Sequence, residues 1–181
     1  EPGYDLPPLN IEQVTVRTDW EPQDGELFAK EAITLQERIR VRRTTLDGRI
    51  AKAAELVAAN PNEPWLIWCN LNAEADALTK AIGGAANVEG KDSPEKKTRE
   101  LLGFAKGNPL HVITKGSIAG RGLNWQHCRQ MIYFPSDSFE TYFQAIRRCW
   151  RFGQTKPVTV YVMASELEGA VVKNLQAKER K

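Results

Sequence analysis

The side chains best suited to chemistry in this sequence are Gln144, Arg148 and Arg151, in the stretch Ser138 to Gln154. Arginine suits phosphate because its planar fork makes bidentate, charge-assisted hydrogen bonds and keeps its proton at any working pH. The apolar spacing of the stretch predicts one helix, with Asp137 and Glu140 as a capping-box-like start and Gly153 as its stop. On a helical wheel Phe139, Tyr142, Phe143, Ile146, Cys149 and Trp150 cover one side. Gln144, Arg148 and Arg151 share the opposite side at i, i+4 and i+7. On that reading the arginines lie off the packed face, so replacing either should barely change stability. Two arginines at helical spacing, taken alone, are better read as a solvated surface.

Upstream, an apolar run from Leu110 to Thr114 leads into Lys115-Gly-Ser-Ile-Ala-Gly-Arg-Gly-Leu-Asn124. Gly120 and Gly122, just past a strand, would let backbone amides approach a phosphate closely. By itself such a loop is as readily an ordinary tight turn. His127 and Cys128 are adjacent, have no third or fourth ligand nearby in sequence, and are not read as a metal site. His111 reads as a satisfied core histidine and Trp65 and Trp68 as core, while Trp125 fits the core or a base-stacking platform equally. The Arg38 to Arg43 cluster reads as a solvated helix end.

The elements that must hold these groups alternate. Val14 to Arg17 reads as a leading strand, and Leu46, Ile50, Ala53, Ala54 and Val57 as a helix stopped by Asn60-Pro61. Trp65 to Cys69 is short and apolar enough for a strand buried on both faces. Asn72 is placed to cap a helix with Ala75, Leu78 and Ile82 on one face, ended by Gly83-Gly84. A short strand around Asn87 to Glu89 follows, then a helix capped by Ser93 with Pro94 in its first turn. Thr98, Leu101, Leu102 and Ala105 form its expected buried stripe. Leu110 to Thr114, Met131 to Phe134 and Val158 to Met163 read as strands, and Glu166 to the C-terminus as a last helix. Strands and helices in this order predict a three-layer α/β domain, a mostly parallel sheet flanked by helices. Ligands of such sheets bind beyond the carboxyl ends of the strands, here the loops after Cys69, Thr114 and Phe134.

Composition sets bounds but names no activity. The 181 residues suffice for one core, and 25 basic against 23 acidic side chains leave no whole-protein field for nucleic acid, only local patches. Three scattered cysteines without a CxxC pair fit a reduced, intracellular setting, and no run of about 18 apolar residues points to a membrane. A soluble, cytoplasmic monomer is expected.

The string QAIRRCWRFGQ resembles motif VI of superfamily 2 ATPases in its Swi/Snf-like form, with Gln144, Arg148, Arg151, Gly153 and Gln154 all in register. Ala119, Gly120, Gly122, Leu123 and Asn124 are similar to motif V, and WLIWCNLNAEADAL to motif IV. The resemblance runs over roughly residues 60 to 170, and Trp125-Gln126-His127 with Arg147 to Trp150 look most like the phage and prophage DEAD/DEAH-type helicases. It implies a RecA-like C-terminal helicase lobe over residues 25–181, with 1–24 as linker and leading strand from a preceding lobe. It further implies Gln144, Arg148 and Arg151 as catalytic, the last two as arginine fingers, and Gly120, Gly122, Asn124, Arg148 and Arg151 around the nucleotide. Asn70, Asn72, Lys91, Ser93, Thr114 and Lys115 would lie along the backbone of DNA, RNA not being excluded. One departure matters: the sequence has neither G-x-x-x-x-G-K-[ST] nor a D-E-x-H or D-E-A-D box. ATP and Mg²⁺ are therefore expected only with a partner, the first RecA-like lobe of the same polypeptide, and this chain alone should neither hydrolyse ATP nor hold it tightly. A non-catalytic RecA-like module for nucleic acid or protein is the alternative; a complete small phosphatase or kinase is disfavoured by the missing motifs.

Overall fold

The computed structural model describes residues 5–17, 34–119 and 123–168. Along the chain run β1 (Leu9–Val16), α1 (Leu35–Thr44), α2 (Leu46–Ala59), β2 (Trp65–Cys69), α3 (Asn72–Ala81), β3 (Ala86–Asn87) and α4 (Pro94–Ala105). After them come β4 (His111–Lys115), α5 (Gly116–Ala119), β5 (Gln130–Tyr133), α6 (Phe139–Ile146), β6 (Val158–Ser165) and a 3₁₀ turn, Glu166–Glu168. The strands form one sheet in the order β1-β6-β5-β2-β4-β3, every pair parallel.

The sheet is central because its middle strand is apolar throughout. All five residues of β2 are buried, and their alternation sends Leu66 and Trp68 to one face and Trp65, Ile67 and Cys69 to the other. On the first face Val112, Met131, Val160 and Val162 pack with Leu101 and Phe104 of α4 and with Tyr142 and Ile146 of α6. On the second, Ile113, Ile132 and Met163 meet Ile50, Ala53 and Val57 of α2 and Ala75, Leu78 and Ile82 of α3. Two apolar layers on a parallel sheet make the three-layer α/β architecture that the alternation of elements predicts.

Several local expectations change. β1 is longer than Val14 to Arg17, and all eight of its residues register with β6. Ser93 caps α4, accepting from the Lys96 amide at 3.2 Å with Pro94 in the first turn, but the stripe is narrower than expected. Leu101 and Phe104 are buried, whereas Thr98 and Ala105 are exposed and Leu102 is 49% exposed, one face over. Asn72 does not cap α3; Leu71 holds that position, and the Glu74 carboxylate accepts the amides of Asn70 and Leu71 at 2.8 and 2.9 Å. Trp125 is fully buried, its indole donating to the Leu101 carbonyl at 3.2 Å, which settles it as core. His111 is half-buried with Nε2 3.1 Å from the Pro61 carbonyl. Beyond Glu168 the expected last helix lies outside the described residues, as do the polar turn at Pro22 and Gly25 and the loop glycines Gly120 and Gly122. No helix among the described residues is long and apolar enough to cross a membrane.

Candidate functional site

The arginine segment is a short helix followed by a turn. Ser138, not Asp137, is its N-cap, with Oγ accepting from the Thr141 amide at 3.2 Å. Gly116 lets α5 lie against it, since a Cβ there would sit 2.7 Å from the Thr141 methyl. The helix stops at Ile146 instead of running on toward Gly153. Tertiary hydrogen bonds take the carbonyls that a longer helix would use. Arg148 O accepts from the Trp125 amide at 2.8 Å, and Gln154 Nε2 donates to Cys149 O and Cys128 O at 3.2 and 3.1 Å. Gly153, at φ 92°, closes the turn as expected of a stop.

This change of course separates the two arginines. Arg148 is only 8% exposed: Nη2 donates to Gln144 Oε1 at 3.1 Å, Nε to Gln144 O at 3.2 Å and Nη1 to Leu123 O at 3.3 Å. Burial, and then the neighbouring Arg151 charge, pull its pKa down. Arg151 is half-buried, Nη1 donates to the Asn124 side-chain oxygen, and Nε has no hydrogen-bond partner among the described residues. Gln144 thus meets Arg148, and Asn124 meets Arg151. Phe143, expected on the packed face, is 40% exposed and lies under the Arg147 guanidinium, 4.6 Å from ring centroid to Cζ. Leu6, Arg147, Arg148, Arg151 and Phe152 line a groove of about 320 Å³ that carries three guanidiniums and, among the described residues, no carboxylate.

The expectation that either arginine can be lost at little cost therefore holds poorly for Arg148. Arg148→Ala should lower stability by roughly 1–3 kcal/mol, because it leaves the Leu123 and Gln144 acceptors unpaired at a buried position. Arg151→Ala should cost less than Arg148→Ala. Paired urea melts check the order, and equal midpoints for the two variants would overturn it.

Beyond the carboxyl ends of β2, β4 and β5 an open cleft of about 1240 Å³ is lined by Asn70, Lys115, Ser117, Tyr133, Ser136, Asp137 and Gln144, among others. Beside it, a recess of about 380 Å³ gathers Asn72, Lys91 and Lys115 with Asp76 and Glu89. Lys115 Nζ donates to the Asn72 side-chain oxygen, and Lys91 Nζ pairs with Glu89 at 2.8 Å, which raises the lysine's pKa. Ser93 is exposed at the start of α4, its hydroxyl engaged in capping. Thr114 requires correction: its side chain is fully buried and its hydroxyl donates to Val88 O at 3.2 Å, so it presents nothing to a ligand.

Two ion-pair systems that the sequence reading missed hold these loops. Arg49 and Glu74, both fully buried, pair at 2.9 Å; Arg49 also donates to Thr45 Oγ1 at 3.2 Å and to Arg42 O, with its guanidinium over the Phe134 ring at 5.2 Å. The cluster read as a solvated helix end is so only in part: Arg40 and Arg43 are exposed, but Arg42 and Arg38 turn inward. Arg42 is buried and meets Glu168 at 2.6 Å and Asp137 at 3.3 Å, and Arg38 meets Asp137 at 2.7 Å. Burial by itself lowers the Arg42 pKa, but Glu168 and Asp137 more than offset it and hold it raised. The sequence signal for the first pair is Glu74 in the first turn of an otherwise apolar-faced helix.

A parallel sheet between two helical layers, with amide and guanidinium groups on the loops past its carboxyl ends, defines a RecA-like α/β lobe. The chain belongs to the helicase conserved C-terminal domain family, whose model matches residues 48–153. The C-terminal part of the Fun30 ATPase domain is similar at 19% identity and a TM-score of 0.61, over 70% of this chain and 44% of that one. Dbp5 of S. cerevisiae bound to RNA and ADP BeF3 is similar at 14% identity and a TM-score of 0.65, over 95% of this chain and 39% of that one. Among curated proteins, the bifunctional helicase and thymine dioxygenase JBP2 of Leishmania tarentolae is 32% identical over 94 residues, 51% of this chain. DEAD-box ATP-dependent RNA helicase 41 of Arabidopsis thaliana is 27% identical over 104 residues, 55% of this chain. The chain covers 9% of the length of the first of these and 21% of the second.

Proposed function

We propose that this chain is the C-terminal lobe of an ATP-dependent helicase or DNA translocase of the Swi/Snf-like, phage-related kind, acting on ATP and Mg²⁺ held mainly by a first RecA-like lobe. The observation that carries the reading is the Gln144–Arg148–Arg151 turn, which with Arg147 sets three guanidiniums around one groove. Arg151 is the finger best placed to reach a phosphoryl group, because it is less buried than Arg148 and Asn124 fixes its position. Arg148 acts beside it and also ties Gln144 to the Leu123 carbonyl, so the turn moves as a unit. Asn124 fits the role of steadying Arg151, and the amides of Gly120 and Gly122 that of approaching phosphate.

Asn70, Asn72, Lys91, Ser93 and Lys115 are proposed to border the nucleic-acid backbone, where contacts give affinity and little sequence specificity. Two lysines set against Asp76 and Glu89 make a weak electrostatic footprint. The chain alone should accordingly bind single- or double-stranded DNA weakly and release it steeply as salt rises. Lys91→Ala and Lys115→Ala should each reduce the slope of log K against log salt by about 1. Fluorescence titrations at several salt concentrations, with RNA of the same sequence in parallel, test the track. Tight binding that ignores salt and both substitutions would favour the non-catalytic binding module instead.

A further inference from the structure

We infer that Trp150 is a positioning residue for the arginine turn: its indole N–H, donating to the Pro7 carbonyl at 2.7 Å, ties the turn that carries Arg151 to the chain entering β1. The inference rests on the reading of Arg151 given above and goes beyond it, to what sets that guanidinium relative to the preceding chain. Among the described residues, Pro7 is where the entering chain makes its first hydrogen bond to the rest of the lobe. One residue on, Pro8 O accepts the Val158 amide at 3.0 Å, and from Leu9 all eight residues of β1 register with β6. Movement of the chain ahead of Leu6 therefore reaches Trp150 before it reaches the sheet.

The entering segment is built to transmit such movement. Each proline ring holds φ at about −65° and favours extended backbone in the residue before it, so Leu6-Pro7-Pro8 is a short stiff rod rather than a loose tether. Neither proline has an amide to donate, and both of their carbonyls are taken, one by the turn and one by β6. Leu6 lies against the turn itself, lining the groove with Arg147, Arg148 and Arg151. On its inner side the turn is pegged by the Trp125 amide on Arg148 O and by Gln154 Nε2 on Cys149 O. The Trp150 indole is the peg on the side of the entering chain, at the residue next to Arg151. Tryptophan suits that place because its ring packs half-buried against the core while its N–H reaches an acceptor on another segment.

The test uses the full-length polypeptide that carries this chain, reading kcat and KM for nucleic-acid-stimulated ATP hydrolysis together with Tm. Trp150→Phe keeps a flat ring for packing and removes the donor. It should lower kcat about fivefold, the scale of one hydrogen bond, with KM for ATP unchanged and Tm lower by no more than about 4 °C. Pro7→Gly keeps the carbonyl and softens the rod, and should lower kcat by a similar factor. Because both changes interrupt one linkage, the double variant should be no slower than the slower single, where independent effects would multiply. Parent kcat in either single variant, or a change confined to KM, overturns the positioning role and leaves the arginine reading standing. Falls in kcat that multiply in the double variant, or that a larger loss of Tm accompanies, overturn it too, because the bond would then serve the fold alone. Parent turnover in Arg151→Ala overturns the arginine reading itself.

Discussion

Replacing Arg151 with alanine in the full-length polypeptide is expected to lower kcat for nucleic-acid-stimulated ATP hydrolysis by on the order of 10³-fold or more, the range that arginine fingers supply elsewhere. The expectation follows from position as much as from residue type. Arg151 sits past the end of α6 on a turn held by Trp125 and Gln154, and among the described residues its side chain donates to Asn124. Losing it should therefore leave the fold nearly intact while removing charge from the developing phosphoryl transition state. Arg151→Lys should recover little, because an ammonium is a point charge and cannot reproduce the planar fork. Steady-state turnover with saturating DNA, alongside thermal melts of the same preparations, makes the measurement. Turnover near the parent's in Arg151→Ala would remove the finger from the proposal. A matching collapse of Tm would show that Arg151 serves the fold instead.

The largest expected effect on stability belongs to Glu74. Glu74→Ala should cost about 3–5 kcal/mol, because it strands the fully buried Arg49 guanidinium and also frees the amides of Asn70 and Leu71. For a domain of this size that corresponds to a fall in Tm of roughly 6–20 °C. Arg49→Ala should be similar in size. Glu74→Gln should be milder at the two amides, which keep an acceptor, yet still costly at Arg49. The double change Arg49→Met with Glu74→Leu should recover much of the loss, since a buried ion pair often adds little over well-packed apolar groups. Chemical denaturation of these variants, with Arg49→Ala/Glu74→Ala added to close the cycle, gives the coupling energy between the two sites. A loss below about 1 kcal/mol for Glu74→Ala would mean that water reaches this pair and that the β2–α3 loop is held some other way.

The same pair bears on the proposed nucleic-acid track. Glu74 holds the backbone of Asn70 and Leu71, and Asn72 follows at once and meets Lys115 across from β4. The loop proposed to border a phosphate backbone is thus anchored through α2 rather than through its own short length. Asp137 does the equivalent at the start of α6, where Arg38 and Arg42 of α1 fasten the segment that leads to the arginine turn.

The sequence by itself determined the parts of this protein that local chemistry specifies. Apolar runs of strand length placed β2, β4, β5 and β6, because a strand covered on both faces must be apolar throughout. Ser93 with Pro94 set the start of α4 through a cap that involves only three neighbouring residues. Gln144, Arg148 and Arg151 stood out because they sit in one contiguous string, QAIRRCWRFGQ, whose residue types and spacing match a known motif together. Tertiary structure decided what depends on partners far along the chain. Arg42 is internal because Glu168, 126 residues away, meets it, and Arg49 because Glu74 does at a separation of 25; neither distance leaves a periodic trace in sequence. Thr114 turned inward because the Val88 carbonyl needed a donor. The helix through the arginines ended at Ile146 because the amide of Trp125 and the side chain of Gln154 claimed carbonyls there. Helical periodicity records which side chains prefer to be buried, but the backbone follows whichever hydrogen-bond partners the folded chain brings to it.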